Sequence, residues 1–227
     1  MKRISVVIPT FEEAAGIAAA VTRLRKSAPV GALEVVVADG GSRDGTLGAA
    51  RCCADRVVES DRGRAVQMHA GALAARGDLL LFLHADTTLP EDWFEALLRA
   101  WSSPTPPGAT AFSLGFDSSA PVFHLIAALG NWRARFTGVP HGDQAVACLR
   151  GDYFAVGGFP PVPLMEEYFL LPLLTNRRPL RILGSPVATS TRRYEKNGPI
   201  INALRNAALI AMFKAGVPPQ RLKELYS

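Results

Sequence analysis

The stretch VVVADGGSRDGT (residues 35–46) begins as an apolar run and ends in a polar, glycine-rich turn. Three consecutive valines are typical of a buried strand, because β-branched side chains pack well on a pleated surface. Asp39 follows the strand, and the glycines after it allow the backbone to come close to a ligand. The alternative is an ordinary turn with an aspartate cap, which uses the same residue types. In either case the stretch predicts a strand, a polar turn and a helix in succession.

Three further short runs are apolar like this strand and also predict buried strands. Segments with helical spacing lie between the four runs. The predicted strands cover residues 4–8, 33–38, 56–59 and 78–83. The predicted helices cover residues 12–27, 46–54 and 65–75. Thr10 followed by Glu13 has the form of a capping box at the start of the first helix. We therefore expect an α/β fold with right-handed crossovers, in which helices flank a Rossmann-like, mostly parallel sheet.

The regular alternation ends after Trp101, where SSPTPPG (residues 102–108) is rich in turn-forming residues. Beyond it we predict strands at residues 109–116 and 145–149, and helices at residues 122–136, 200–215 and 220–226. The sequence shows no internal repeat and no linker. We therefore predict one domain over residues 1–227, with a sheet-forming part in residues 1–115 and a smaller extension in residues 116–227.

The composition is that of a folded protein, with 48% apolar and 20% charged residues. Three cysteines without a CxxC spacing indicate a reducing compartment, and we expect the cytoplasm. The net charge of +5 is uneven, because ten Lys or Arg residues and only two acidic residues follow position 170. This basic part predicts contact with phosphate groups or with an anionic membrane surface, which would be the inner face of the membrane. A solvated basic face without a partner explains the charge equally well.

Polar segments follow all four predicted strands of the first part of the chain. They are PTFEE (residues 9–13), DGGSRDGT (39–46), ESDRGR (59–64) and HADTT (84–88). In an open parallel sheet, ligands bind beyond the carboxyl ends of the strands. These segments therefore predict a polar crevice along one edge of the sheet.

Asp86 follows a strongly apolar strand in LLLFLHADTTLP (residues 79–90). A carboxylate on such a rigid support is a suitable ligand for a divalent cation that bridges two phosphates. The alternative is that Asp86 caps a helix starting near Pro90, or an intervening turn. For His84 the alternatives are a neutral metal ligand, a phosphate contact and a packed histidine with a satisfied hydrogen bond.

Three segments, VVIPTFEE, VVVADGGSRDGT and GRAVQMHAGALAARGDLLLFLHAD, resemble family 2 glycosyltransferases in their order and spacing. That family usually carries VVIPTYNE, VVDDGSTDGT and a DxD motif at the end of the fourth strand. The resemblance implies the GT-A fold and a nucleotide-sugar donor, a UDP- or GDP-sugar. It also implies that residues 1–115 bind the donor and that residues 116–227 bind the acceptor.

The resemblance also implies roles for single residues of the donor-binding half. The residues that it places at the donor are Pro9, Thr10, Glu12, Asp39, Arg64, His84 and Asp86. Among these, Asp39 would contact the base, and Asp86 would hold Mg²⁺ or Mn²⁺ against the diphosphate. His84 replaces the first aspartate of DxD, so one carboxylate stands where many relatives have two.

The second half resembles the acceptor side of the family in HGDQAVACLRGDYFAVGGF (residues 141–159) and MEEYFLL (residues 165–171). The latter matches a signature whose acidic residue is the general base in inverting relatives. Glu167 or Glu166 would therefore take the proton of the acceptor hydroxyl. The alternative for this pair is an acidic cluster that favours a helix N-terminus.

The segment TRRYEKNG (residues 191–198) narrows the resemblance to a small bacterial branch labelled arsenosugar biosynthesis glycosyltransferases. Arg192 and Arg193 would help to neutralise the leaving diphosphate, and Asp143 would orient the acceptor. The resemblance implies an inverting, metal-dependent transfer of one sugar. The acceptor would be a small or lipid-linked hydroxyl compound, and we expect no nucleic-acid partner.

Two other functions stay open from the residues alone. A sugar nucleotidyltransferase also uses a parallel sheet, a metal-binding carboxylate and a glycine-rich loop, although PTFEE lacks the basic loop expected after its first strand. An inactive transferase-like module that binds a membrane surface would explain His84 and the apolar helix near Val122. Release of pyrophosphate rather than nucleoside diphosphate would identify the first of these functions.

Overall fold

A computed structural model describes residues 3–192, 194 and 198–226 of the chain. Its strands within these residues are β1 Ile4–Thr10, β2 Leu33–Asp39, β3 Arg56–Glu59, β4 Leu79–Phe82, β5 Thr87–Thr88, β6 Ala109–Ser113, β7 Val146–Leu149, β8 Leu180–Pro186 and β9 Ala188–Thr189. Seven of these described strands form one sheet in the order β3-β2-β1-β4-β7-β6-β8. The two short strands β5 and β9 pair separately and antiparallel.

Strand direction follows the alternation of strands and helices in the first part of the chain. β1 pairs in parallel with β2 and β4, β2 pairs in parallel with β3, and β6 pairs in parallel with β8. β7 is antiparallel to its neighbours β4 and β6. The predicted α/β fold with a mostly parallel sheet is therefore confirmed, and β7 is its antiparallel member.

Helices cover both faces of this sheet. The described helices are α1 Ile17–Lys26, α2 Thr46–Cys53, α3 Arg64–Ala74, α4 Trp93–Trp101, α5 Pro121–Thr137, α6 Arg150–Ala155, α7 Glu166–Thr175, Pro199–Lys214 and Pro219–Tyr226, with a 3₁₀ turn at Gly142–Gln144. We call Pro199–Lys214 the penultimate helix. Throughout the described ranges, no helix is long and apolar enough to cross a lipid bilayer.

The core consists of two layers, one on each face of the sheet. Successive side chains of a strand point to opposite faces, so Val35 and Val37 pack in the layer that contains α1 and α4. Val36 packs in the other layer, which contains side chains of α3, α6 and α7. The first residues of α3 and α7 therefore lie on the same side of the sheet, where the candidate site forms.

The first helix begins later than the capping-box pattern predicts. α1 begins at Ile17, without a side-chain hydrogen bond at its N-cap. Thr10 instead ends β1, and its hydroxyl donates to Asp39 Oδ1 at 3.1 Å. The backbone N–H of Glu13 donates to Thr46 Oγ1 at 2.9 Å. The capping-box prediction is wrong, because both residues connect the end of β1 to the loop after β2.

Candidate active site

The sheet order brings three of the polar segments together at the carboxyl ends of the parallel strands. Thr10 at the end of β1 lies opposite Asp39 at the end of β2. β4 pairs with β1 on its other side, and His84 and Asp86 follow β4. Pro9 precedes Thr10 in β1 and is half-buried. The chain segments that carry the predicted donor-binding residues at these three strand ends thus adjoin one another.

Asp39 is fully buried, and the loop that follows it uses both carboxylate oxygens. Its Oδ1 accepts hydrogen bonds from Thr10 Oγ1 at 3.1 Å and Ser42 Oγ at 2.6 Å. Its Oδ2 accepts from the backbone N–H groups of Gly41 at 3.0 Å and Ser42 at 2.8 Å. These four bonds match the acceptor capacity of a carboxylate. Asp39 therefore stabilises the turn, and its contact with a nucleotide base stays a prediction.

The loops after β1 and β2 are connected by hydrogen bonds from backbone N–H groups of the first loop to side chains of the second. The N–H of Glu12 donates to Ser42 Oγ at 2.8 Å, and the N–H of Ala14 donates to Asp44 Oδ2 at 3.1 Å. Glu12 has a φ of 56°, in the left-handed region that residues other than glycine rarely adopt. Such backbone conformations concentrate at ligand-binding sites, where the surrounding structure enforces them. The exposed side chain of Glu12 thus lies on a loop held in a fixed shape.

Gln67 of α3 is a further residue of this edge that the sequence reasoning missed. Its Nε2 donates to the carbonyl oxygens of Thr10 at 2.7 Å and Ala38 at 3.0 Å, so it connects the ends of β1 and β2. A Cβ at Gly40 would lie 2.9 Å from Gln67 Cδ, which explains the need for glycine there. Gln67 lies in the same GRAVQMHAG segment as Arg64, and that proximity was the only sequence signal.

Asp86 lies between β4 and β5, on a loop held by the second half of the chain. β5 pairs with β9, and the N–H of Ser190 donates to the carbonyl oxygen of Asp86 at 3.2 Å. α4 begins at Trp93, directly after its N-cap residue Asp92. Asp86 therefore does not cap that helix, which removes one of the alternatives for this residue.

The same contacts bring a predicted diphosphate-binding arginine close to the loop of Asp86. Arg192 is exposed, and its Nε donates to Ser190 Oγ at 3.2 Å. Ser190 is the residue that binds the main chain of Asp86, so Arg192 lies beside this loop. Arg193 lies outside the described residues.

Two buried glutamates are the first residues of α7, and they lie next to the start of α3. Glu166 and Glu167 have side chains only 1% and 8% exposed. Arg64 Nε donates to Glu166 Oε1, and Arg64 Nη2 lies 4.0 Å from Glu167 Oε1. Their position at a helix N-terminus matches the alternative read from the sequence. In addition, Arg64, from the first part of the chain, holds Glu166 in place through their ion pair.

The two glutamates differ in their hydrogen bonds and therefore in their chemistry. Burial, followed by the charge of Glu166, raises the pKa of Glu167 to about 8. Burial works to lower the pKa of Arg64, but the charges of Glu166 and Glu167 outweigh it and raise that pKa. One oxygen of each glutamate, Glu166 Oε2 and Glu167 Oε1, has no hydrogen-bond partner among the described residues, but only Glu166 accepts a hydrogen bond from Arg64. Glu167 is thus the member of the pair that is suited to accept a proton near neutral pH.

Gly142 lies between the acid pair and the end of β4. A Cβ built at Gly142 would collide with Glu167 Oε1 and lie 2.7 Å from His84 Nε2. His84 and Glu167 are therefore neighbours across the backbone of one glycine. This juxtaposition joins residues 1–115 to residues 116–227, and the sequence alone gave no signal for a role of Gly142.

Replacement of Gly142 by alanine should lower kcat by about tenfold to a hundredfold, because both neighbouring side chains must move. The atoms that clash are ends of side chains, so the melting temperature should change little. Steady-state kinetics and thermal unfolding measure the two effects. Gly151→Ala in α6 is the matched control, because nothing lies within 4 Å of its Cβ. Unchanged kcat in Gly142→Ala would contradict the assignment of the site.

The 3₁₀ turn that contains Gly142 also carries Asp143, close to the loop of Asp86. Burial, opposed by Arg64 and assisted by the charge of Asp86, raises the pKa of Asp143 to about 6. Burial, followed by the charges of Arg133 and Arg64, lowers the pKa of His141 to about 3. His141 is therefore neutral at physiological pH. The charge of Asp86 acts on Asp143 and that of Asp143 acts on Glu167, so Asp143 is near both, and its role at the acceptor stays a prediction.

Arg133 of α5 is a second cation of this site that the sequence reasoning missed. Its Nη1 donates to the carbonyl oxygen of Val139 at 2.8 Å and to Tyr168 Oη at 3.0 Å. Tyr168 directly follows Glu167, so Arg133 is bound next to the acid pair in the chain, and its charge also acts on His141 and Asp143. No sequence motif marked this arginine, because only the packing of α5 brings it to α7.

The donor set near Asp86 fits a divalent cation that is held partly by phosphate oxygens. Within the described ranges, no three His, Cys, Asp or Glu side chains form a group that could hold a metal ion. Asp143 Oδ1 is buried and has no hydrogen-bond partner in the described part of the chain. Mg²⁺ and Mn²⁺ are hard cations that combine one or two carboxylates with phosphate oxygens and water. Asp86, with Asp143 nearby, matches that requirement.

The fold is similar to that of solved glycosyltransferases. The mannosyltransferase PcManGT from Pyrobaculum calidifontis, solved with GDP-Man and Mn²⁺, has a TM-score of 0.69 at 22% identity, over 98% of this chain and 67% of that chain. Glucosyl-3-phosphoglycerate synthase from Mycobacterium tuberculosis, solved with Mn²⁺, UDP-glucose and phosphoglyceric acid, has a TM-score of 0.67 at 19% identity, over 96% and 81% of the two chains. The predicted GT-A fold is confirmed by these likenesses.

Sequence comparison gives the family. The succinoglycan biosynthesis protein ExoA of Rhizobium meliloti (strain 1021) is 32% identical over 181 residues, which are 68% of this chain and 52% of that protein. The chain thus spans about half the length of this curated relative. A family model described as "Glycosyl transferase family 2" matches residues 5–133. The strand-end segments of this chain are the places where the signatures of that family lie. These matches show that the chain belongs to glycosyl transferase family 2.

Proposed function

We propose that the protein transfers one sugar from a nucleoside-diphosphate sugar to a hydroxyl acceptor, with inversion and with the help of a divalent cation. The observation that carries the proposal is the buried acid pair of α7, which adjoins the end of β4 across Gly142. The chemistry needs a base on one side of the anomeric carbon and charge stabilisation of the diphosphate on the other. The acid pair and the loop of Asp86 are suited to these two tasks.

Glu167 is the general base in this proposal, and Glu166 positions it. Arg64 binds Glu166 directly, which fixes the orientation of the Glu166 carboxylate. Glu167 keeps one oxygen without a hydrogen bond from the described residues, and its raised pKa makes it a stronger base than an ordinary glutamate. Arg64 thus acts at the acid pair, whereas the resemblance alone implied a role at the donor.

Asp86 is the proposed metal ligand, with Asp143 close to it. When bound, Mg²⁺ or Mn²⁺ would neutralise the charge that grows on the diphosphate as the glycosidic bond breaks. Arg192, beside the same loop, supplies a further positive charge for the leaving group. His84 cannot supply a second carboxylate at the position where the family usually has one, so we propose that it contacts the acceptor or the phosphates.

The proposed donor is a UDP- or GDP-sugar. The two solved structures contain GDP-Man in one case and UDP-glucose in the other, each with Mn²⁺. Pro9, Thr10 and Glu12 would line the nucleoside pocket, and Asp39 would lie beside the nucleobase. The acceptor would be a small or lipid-linked hydroxyl compound. The narrower resemblance to the arsenosugar branch stays a prediction.

Nucleotide binding tests the donor and metal parts of this proposal. We expect UDP or GDP to raise the melting temperature in the presence of Mn²⁺ and to have a smaller effect in the presence of a chelator, because a bound ligand stabilises the folded state. Adenosine and cytidine diphosphates serve as controls for the base. If none of the four nucleotides shifts the melting temperature with Mn²⁺ present, the proposed donor class is wrong.

The raised pKa of Glu167 predicts an unusual pH dependence. A general base must be deprotonated, and the Glu167 carboxyl, with a pKa of about 8, is largely protonated at lower pH. We therefore expect kcat/KM to fall about tenfold per pH unit below that pKa and to level off above it. Initial rates across a pH series measure the profile. A rate independent of pH through this range would show that Glu167 is not the base.

A further inference from the structure

One side of α5 carries a stripe of large apolar side chains that face solvent. Leu125, Leu129, Trp132 and Phe136 follow one another at helical spacing and are 60%, 59%, 65% and 80% exposed. The rings of Trp132 and Phe136 stack at a centroid distance of 5.6 Å and an angle of 7°. Large contiguous apolar patches are uncommon on monomeric proteins and mark interaction surfaces.

The penultimate helix contacts α5 and carries exposed apolar side chains of its own. Ile200, Ile201 and Leu204 are between 62% and 66% exposed. The helix is held by its other side, where Leu209 is buried and Phe213 packs against Tyr168 at a ring distance of 5.3 Å. The exposed side chains are therefore not needed to hold the helix in place. We call these three residues and the four of α5 the apolar face.

The two helices that carry the apolar face have basic residues and no acidic ones. No Asp or Glu occurs between positions 118 and 142 or between positions 196 and 223. α5 carries Arg133 and Arg135, and the penultimate helix carries Arg205 and Lys214. Apolar and aromatic residues on one side of a helix, with basic residues and no acids, are typical of helices that lie in the interface of an anionic bilayer.

We propose that the apolar face lies on an anionic membrane surface. Trp132 and Phe136 would enter the boundary between headgroups and acyl chains, where aromatic side chains are favoured. Arg135 and Lys214, both exposed, would contact the phosphates of anionic lipids. A second copy of this chain is the less suitable occupant, because two identical basic faces would repel each other.

Vesicle binding tests this proposal. The full chain should sediment with vesicles that contain phosphatidylglycerol, and much less with phosphatidylcholine vesicles or at high salt. Of the three tryptophans, Trp93 and Trp101 are buried, so the emission of Trp132 reports the environment of the face. Bound protein should show a blue shift and quenching by brominated lipid.

The double variant Trp132→Ser, Phe136→Ser should bind anionic vesicles at least about tenfold more weakly, because two aromatic anchors are lost. Leu73→Ser, an equally exposed apolar residue of α3, is the matched control and should bind like the wild type. Equal binding of wild type and double variant, or no binding to anionic vesicles, would overturn the proposal. So would light scattering that shows a wild-type dimer and a monomeric double variant, because the face would then be an interface between copies.

Discussion

Glu167→Gln should lower kcat on the order of 10³-fold while nucleotide affinity stays near that of the wild type. Glutamine keeps the size of the side chain but cannot accept the proton of the acceptor hydroxyl. The residue lies on α7 and not on the loops after β1 and β2 that carry the predicted nucleoside contacts. Turnover measured as nucleoside diphosphate release, together with nucleotide binding by calorimetry, separates the two effects.

Glu166→Gln provides the comparison within the acid pair. It weakens the ion pair with Arg64, so the melting temperature should fall. Glu167→Gln instead replaces a buried carboxyl whose Oε1 has no hydrogen-bond partner among the described residues, and it should leave the melting temperature unchanged or raise it. The loss of kcat should be larger in Glu167→Gln than in Glu166→Gln. The opposite order of the two kcat values would move the general base to Glu166.

Asp86→Ala should lower kcat/KM by about a hundredfold or more and should weaken nucleotide binding only when Mn²⁺ is present. The carboxylate is the proposed protein ligand of the cation, and its loop is fixed by the pairing of β5 with β9. Calorimetric titrations with UDP or GDP, with Mn²⁺ and with a chelator, measure the metal-dependent part.

Asp78→Ala is the matched control, because Asp78 precedes the same strand at its opposite end and is exposed. It should keep both the metal-dependent affinity and the turnover of the wild type. Equal metal dependence in Asp86→Ala and the wild type would place the cation elsewhere.

The first half of the fold could be predicted from the sequence because its strands are buried on both faces. All seven residues of β2 are buried, and the apolar run at residues 35–38 within it is visible without any long-range information. β8 gave no such signal, because it is an edge strand in which exposed and buried residues mix. The sequence predicted no helix at α7, because Pro172 lies inside it and proline usually interrupts a helix.

The candidate site was predictable where motifs coincide with strand ends. Asp39 and Asp86 lie there, and sequence spacing alone put them at one edge of the sheet. Arg64 and Glu166 are 102 residues apart, and only the packing of α3 and α7 on one face brings them together. Gln67 could not be assigned either, because a glutamine in an apolar helix has no recognisable partner until the strand register is known.

Release of nucleoside diphosphate from a panel of UDP- and GDP-sugars is the most direct test of the proposed activity. With Mn²⁺ and a set of hydroxyl acceptors, the wild type should release nucleoside diphosphate from at least one donor, without pyrophosphate, and Glu167→Gln and Asp86→Ala should not. Release of pyrophosphate instead, or equal nucleoside diphosphate release by all three proteins, would contradict the account.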